Sequence, residues 1–362
     1  MVRLRAVVGE MPDYRPGRSA AAAAAEHGID GAVKLSSNEV PFAPPPSVRQ
    51  AIADAASEAH RYPDDGGEAL CNRLAVRAGL EAGQVAVGAG SVALCQQALL
   101  AAVDPGDEVV WSWPSFEAYP VLARHVGATV RAAPLRDHVY DLDAMAASIN
   151  RRTRLVVVCD PNNPTGTVVD HDELRHLVDG VPDDVLVLVD EAYVEFVTAD
   201  RTGNGLDLVR DHANVLVLRT FSKAYGLAGL RVGYAFGHED VISALRRTRL
   251  PFAVSTTAQA AALAALAAEA EYRGWIEALV DERERIVRAC RNDLGIAVPD
   301  SQANFVWLPL GDLATGFGAA CERRGVVLRP FPGLGVRATV GTAAENDRLL
   351  AAVEGSLEEI RG

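Results

Sequence analysis

The sequence has little cysteine. Its five, Cys71, Cys95, Cys159, Cys290 and Cys321, are scattered through 362 residues, odd in number and without a Cys-x-x-Cys pair. That excludes a disulfide framework and reads as reduced, mostly core thiols in a cytosolic protein. An excess of positive charge is also missing. The 35 Lys and Arg residues face 48 Asp and Glu, for a net charge of −13 and a pI near 5.1. Nucleic acid and acidic membrane surfaces are thereby argued against as partners, with room left for local basic pockets. Nor is there a long apolar run: the longest, Ala258 to Ala268, is mostly alanine and too short to span a bilayer. The start carries no charged-then-apolar signal pattern, since the alanine run from Ala20 to Ala25 is weakly apolar and closed by Glu26. No solenoid repeat is seen. The histidines, including His60, His125 and His138, show no metal-ligand spacing. The expectation is a cytoplasmic globular protein without a metal.

What is present is an alternation. Short Val- and Leu-rich runs lie at Gln84–Val87, Glu108–Trp111, Thr129–Ala132, Leu155–Cys159, Val185–Val189 and Val215–Leu218, with helical patterns such as Ser91–Ala102, Phe116–Val126 and His171–Val178 between several of them. Continuous apolar strands separated by helices indicate an α/β fold with a mostly parallel sheet covered on both faces. The stretch up to Pro46 reads as irregular, and Ser47 as the N-cap of a helix running through Ala56. After about Asp240 the alternation fades into long helical patterns and a few strands, which reads as a smaller α+β unit. The expected organisation is an arm over 1–46 joining the small domain, a large domain over 47–240 and the small domain over 241–362.

Ligands bind beyond the carboxyl ends of strands in such sheets, and polar clusters follow four of them. Gly88-Ala89-Gly90-Ser91 places backbone N–H groups at a helix N-terminus, an anion site by geometry and dipole. Asp160-Pro161-Asn162-Asn163-Pro164-Thr165-Gly166 is a rigid turn offering side-chain amides. Asp190 ends a very apolar strand, so its carboxylate wants a cationic partner, either from the protein or from a protonated heterocycle. Tyr193 lies one turn later. Arg219 to Arg231 holds a lone lysine, Lys223, among hydroxyls and glycines, with Ser222 and Arg231 suited to an anion. Singly, each has a plain reading as a turn, a cap or a solvated side chain. Together they match what pyridoxal phosphate requires: an amine for its aldehyde, an acid for its ring nitrogen and a phosphate cradle.

The order Asn-Pro-Thr-Gly, Asp-Glu-Ala-Tyr and Ser-Lys followed by Arg231 resembles the fold-type I pyridoxal-phosphate aminotransferases, above all the histidinol-phosphate aminotransferase branch. Lys34–Phe42, Val87–Gln97, Arg219–Ala235 and Ser301–Gly311 are similar to the actinobacterial aromatic amino acid (phenylalanine) aminotransferases. The resemblance spans nearly the whole chain, and it implies roles. Lys223 binds the cofactor covalently and moves protons. Asp190 pairs with the pyridine nitrogen, while Asn163 and Tyr193 approach the ring oxygen. Ser91, Val92, Thr220, Ser222 and Arg231 hold the phosphate, and Tyr62 reaches the phosphate of a neighbouring subunit in a homodimer. Phe116 stacks on the ring, where many relatives carry tyrosine. Arg337 grips the substrate carboxylate, with Asn38 and Tyr14 nearby; Arg329 reads as structural. The implied reaction is amino transfer from an aromatic amino acid to 2-oxoglutarate. Histidinol phosphate is the alternative donor, with Tyr14, Arg15 and Arg18 as possible phosphate contacts. Decarboxylation and a non-catalytic cofactor-binding protein rank lower, because Arg337 would hold the carboxylate and each catalytic motif is present.

Overall fold

The computed structural model describes Val2, Gly9 and residues 18–199 and 204–361. Tyr14 and Arg15 lie outside the described residues. The chain divides into two compact units. Ala43–Asn163 and Val168–Tyr272 belong to the first; Pro164–Thr167 and the described parts of Tyr14–Phe42 and Arg273–Gly362 belong to the second.

One strand, β1 (Val33–Lys34), precedes the large unit. The large unit holds β2 (Val85–Gly88), β3 (Glu108–Trp113), β4 (Thr129–Arg136), β5 (Val139–Tyr140), β6 (Thr153–Cys159), β7 (Leu186–Asp190), β8 (Val215–Thr220) and β9 (Gly233–Gly237). These eight form one sheet in the order β2-β9-β8-β7-β6-β3-β4-β5. From β8 through β4 the neighbours run parallel, in register such as Cys159 opposite Asp190 and Asp190 opposite Leu218. All of β7 is buried, as is nearly all of β6 and β8. Chains of Val and Leu suit a strand covered on both faces, where no alternation with polar residues is needed. The mostly parallel sheet is therefore as the sequence predicts, with one addition. Between β2 and β8 lies β9, antiparallel to both.

Helices supply the cover. Ser91–Ala102 buries Leu94, Cys95, Ala98 and Leu99 along one stripe. Ala118–Val126 buries Ala118, Tyr119, Leu122, Ala123 and Val126, and stops at Gly127 in the left-handed conformation that closes helices. Asp170 caps His171–Gly180 by accepting the N–H groups of Asp172 and Glu173.

Three expectations need correction. Ser47 is not an N-cap: helix Pro46–Ala56 starts one residue earlier, after Pro45, with no side-chain cap, because proline at the first helical position needs no N–H partner. The N-terminal stretch is not wholly irregular, since Ala20–His27 is a helix capped by Ser19 and ended by Gly28. The domain boundary lies beyond Asp240. Helix Glu239–Thr248 packs on helix Ser91–Ala102, and helix Thr256–Ala267 packs on helix Pro46–Ala56, so both belong to the large unit. Small alanine faces allow that last contact to be close.

In the second unit β1 pairs in parallel with β11 (Val326–Val327). A three-stranded antiparallel sheet has the order β10-β13-β12, with β10 at Phe305–Leu308, β12 at Arg329–Phe331 and β13 at Gly335–Thr339. Helix Ala314–Arg323 packs on β12 and β13, and helix Ala343–Arg361 packs on that helix and on β11. Among the described residues no helix is long and apolar enough to cross a membrane.

Candidate active site

Because β2, β3, β6, β7 and β8 share one direction, the loops that follow them emerge on one edge of the sheet. This single fact gathers Gly88–Ser91, Ser115–Phe116, Asp160–Asn163, Asp190 and Thr220–Lys223 from distant parts of the sequence.

Asp190, at the last position of β7, is 4% exposed. The Tyr119 hydroxyl donates to its Oδ2 at 2.7 Å. Its Oδ1 is buried with no hydrogen-bond partner among the described residues. Burial pushes the carboxyl up to about 6, against the opposing pull of the Tyr119 hydroxyl, the Ala192 N–H and the Lys223 charge. A buried carboxylate with one open oxygen is an unfinished site, fitted to a cationic N–H donor.

Lys223 is half-buried, its Nζ 5.6 Å from the centre of the Tyr193 ring. The loop around it is tightly closed: Gly226 N–H donates to the Lys223 carbonyl at 2.9 Å, Leu227 N–H to Phe221 at 2.9 Å, and Phe221 N–H to Val232 at 3.1 Å. Gly226 takes φ +63°, which glycine adopts without strain. Asp190 and Lys223 thus stand at the ends of adjacent strands on a rigid base. Glu191, the next residue of the same motif, is structural. It pairs with Arg219 at 2.8 Å and accepts the Gly205 N–H at 2.8 Å.

A cradle forms at the N-terminus of helix Ser91–Ala102. Gly90, at φ +83°, lies so near Arg231 that a Cβ there would overlap the guanidinium. A Cβ on Gly233 would reach the Ser91 backbone nitrogen at 2.5 Å. Arg231 donates to Ser222 Oγ at 3.1 Å and to the Ala228 carbonyl at 2.9 Å, itself at φ +55°. Thr220 Oγ1 accepts the Ser222 N–H at 3.1 Å. A helix N-terminus, a guanidinium and hydroxyls, brought together by glycines, suit a phosphate. Val92 follows Ser91 in the first turn of that helix.

The stacking candidate, Phe116, contacts Tyr119 edge-on at 5.5 Å. Its loop is tied to the Asn163 loop through Asn162, which accepts from Ser115 Oγ at 3.0 Å and donates to the Pro114 carbonyl at 3.1 Å. Asn163 and Tyr193 are buried, at 5% and 3% exposure. Tyr62 is 81% exposed and stacked on Phe252 at 4.5 Å. Sequence reasoning missed Tyr119 and Ser115, and placed Asn162 in the rigid turn without giving it a role of its own. A tyrosine on the buried stripe of a helix reads as core, and only its position three residues after Phe116 pointed to this edge.

In the second unit, Arg337 on β13 donates to the Ser36 carbonyl at 2.6 Å and lies 5.5 Å from the Phe305 ring centre. Asn38, at φ +54°, is bound through its N–H to Thr339 Oγ1 at 2.9 Å and through its carbonyl to Asn304 at 3.2 Å. Both are almost fully buried, at 7% and 1% exposure. Arg329 lies opposite Arg337 in the sheet register and is half-buried. A separate groove of about 960 Å³, lined by residues such as Arg136, Asn150, His176 and Asp184, shares no residue with these loops. Among the described residues no cluster of His, Cys, Asp and Glu suits a metal ion.

Comparison with known proteins gives the family. An aromatic amino acid aminotransferase of Thermobifida fusca is 52% identical over 348 residues, 96% of this chain and 95% of that protein. One from Streptomyces avermitilis is 50% identical over 359 residues, 99% and 98% of the two chains. Among solved structures, histidinol-phosphate aminotransferase from Sinorhizobium meliloti in complex with pyridoxal-5'-phosphate superposes with a TM-score of 0.90 at 29% identity, covering 99% of both chains. Aspartate aminotransferase from Thermotoga maritima shares the fold, with a TM-score of 0.85 at 24% identity over 98% of this chain and 100% of that one. The family model for aminotransferase class I and II matches residues 30–353, and with relatives of this similarity over nearly its whole length the chain belongs to that family of amino-group transferases.

Proposed function

We propose that this aminotransferase uses pyridoxal 5'-phosphate to move the amino group of an aromatic amino acid to 2-oxoglutarate. The observation that carries the cofactor is the buried, open Oδ1 of Asp190 on the same sheet edge as Lys223 and the glycine cradle. When bound, the cofactor supplies an aldehyde that condenses with amines and a ring that takes up electrons as the substrate Cα proton leaves. The protein supplies the rest. Ser91, Val92, Thr220, Ser222 and Arg231 bind the phosphate. Asp190 keeps the ring nitrogen protonated. Asn163 and Tyr193 orient the ring oxygen, and Phe116 covers the ring face. The Lys223 amine would take the Cα proton as general base. Arg337 holds the substrate carboxylate with a bidentate fork, and Asn38 lines the substrate. Two copies share their sites, each Tyr62 serving the phosphate of the other. The exposed apolar strip of Tyr62, Leu250 and Phe252 supports such an interface.

The aromatic donor is supported by the names of the relatives at 50–52% identity and by the apolar Phe116. An aromatic side chain gains stability by burial alone, whereas histidinol phosphate brings a doubly charged group that must be paired. Steady-state kinetics with phenylalanine, tyrosine and histidinol phosphate, 2-oxoglutarate as acceptor, test this. Higher kcat/KM for the aromatic donors is expected; preference for histidinol phosphate overturns the donor assignment and leaves the cofactor chemistry standing.

A further inference from the structure

Tyr119 carries a polar atom where packing alone would favour phenylalanine. It is 2% exposed, held between Trp111 at 6.0 Å and Phe116 at 5.5 Å, on the buried stripe of helix Ala118–Val126. A hydroxyl in such a place costs stability unless it is hydrogen-bonded. It donates to Asp190 Oδ2 at 2.7 Å, and this leaves Oδ1 as the oxygen without a hydrogen-bond partner among the described residues. The other titratable groups around Asp190 are Cys95 from helix Ser91–Ala102, Cys159 from β6, Tyr140 from β5, Glu191 next in sequence, and Lys223. Burial pushes the two thiols and the Tyr140 hydroxyl well up, so they stay neutral. Lys223 is the cation of the set, and amino transfer requires it to give up that charge.

We propose that Tyr119 is a positioning residue that holds Asp190 by Oδ2, reserves Oδ1 for the ring nitrogen of the cofactor, and biases the shared proton towards that nitrogen. The inference rests on the reading of Asp190 as the partner of that nitrogen. A hydrogen bond to the charged carboxylate favours the ion pair over the neutral pair, in which the acid keeps the proton. Burial pulls the other way, and the Tyr119 hydroxyl is the largest of the groups that oppose it, ahead of the Ala192 N–H and the Lys223 charge.

The test uses the full protein loaded with pyridoxal phosphate labelled with ¹⁵N in the ring. In Tyr119→Phe the ring ¹⁵N resonance moves from the protonated towards the unprotonated value, and kcat falls about tenfold with little change in KM, as loss of one charge-assisted hydrogen bond predicts. Asp190→Ala gives the full displacement. If Asp190→Ala displaces the resonance and a folded Tyr119→Phe does not, the role of Tyr119 is overturned. If neither variant displaces it, the reading of Asp190 falls and the inference with it. Should Tyr119→Phe fail to fold, 3-fluorotyrosine at position 119, a stronger donor of nearly the same shape, takes its place. The carboxyl infrared band of Asp190 in the unloaded protein must then titrate at lower pH than with tyrosine, and an unmoved midpoint overturns the proposal.

Discussion

Gly90 and Arg231 share a space that a single methyl group would fill: a Cβ on Gly90 falls inside van der Waals contact with the Arg231 guanidinium. Gly90 also takes φ +83°, a conformation that L-residues rarely adopt. Gly90→Ala should therefore push the guanidinium aside at a strain cost of about 1 kcal/mol or more. The fold should survive, because the end of a long side chain yields. Cofactor affinity should fall by about tenfold or more, the loss of one charged contact. Gly233→Ala should behave differently, since its Cβ would meet backbone atoms of Gly90, Ser91 and Arg219 that cannot yield. There the expected loss is about 1–3 kcal/mol of stability. Cofactor titration and urea melts of both variants separate the two effects.

Lys223 should carry the cofactor covalently. The chain has two lysines, Lys34 and Lys223, and Lys34 is paired with Glu39 at 2.7 Å in the second unit. Borohydride reduction of the loaded protein followed by peptide mapping should place the label on Lys223, and a label on Lys34 refutes the assignment. Lys223→Ala should still bind the cofactor through the phosphate contacts while losing most turnover, because covalent partner and general base vanish together.

Asp190 should make the unloaded protein less stable as pH rises. Its carboxyl titrates at about 6 in the fold against an ordinary 3.8, so between those values the folded state binds the extra proton. The stability present below pH 3.8 is lost as pH climbs through about 6, amounting to about 3 kcal/mol. Asp160 and Glu195, both pushed by burial to about 7, act in the same direction. Glu108, held down at about 2, chiefly by its hydrogen bonds with Arg131 and Asn150, acts oppositely and only at more acid pH. Asp190→Asn in the cofactor-free protein should be more stable than wild type at pH 7.5, and the gain should vanish near pH 4. Urea unfolding at the two pH values measures it; an equal effect at both contradicts the buried-carboxyl account.

Tyr62 should act across a dimer. Mixing Tyr62→Phe subunits with Lys223→Ala subunits should restore some activity, since a hybrid dimer has one site with both residues intact. Subunit exchange proven by mass spectrometry without any recovery of activity would count against shared sites.

Much of this architecture was legible in the sequence. Val- and Leu-rich runs such as β6 and β7 read as strands buried on both faces, and their shared direction puts the residues after them on one edge. The motifs containing Asn163, Asp190 and Lys223 were visible because the chemistry proposed for them needs particular residue types. β9 was not, because Gly233–Gly237 is five residues bounded by glycines with no alternation. Its place between β2 and β8 depends on close approach at Gly233, where backbone meets backbone. The boundary past Asp240 was likewise hidden, since the alanine-rich face of Thr256–Ala267 carries little directional pattern and its partner helix is far away in sequence.

The sequence by itself determined the strand–helix alternation, the residue types of the candidate site and the family to which they belong. Tertiary structure alone decided which oxygen of Asp190 is occupied, that Glu191 is bound to Arg219, and that Gly90 and Gly233 open the cradle beside Arg231. Periodicity and propensity act over a few neighbouring residues, whereas a buried hydrogen bond such as Tyr119 to Asp190 joins residues 71 positions apart. Its geometry is fixed only when the strands and helices carrying both side chains have packed.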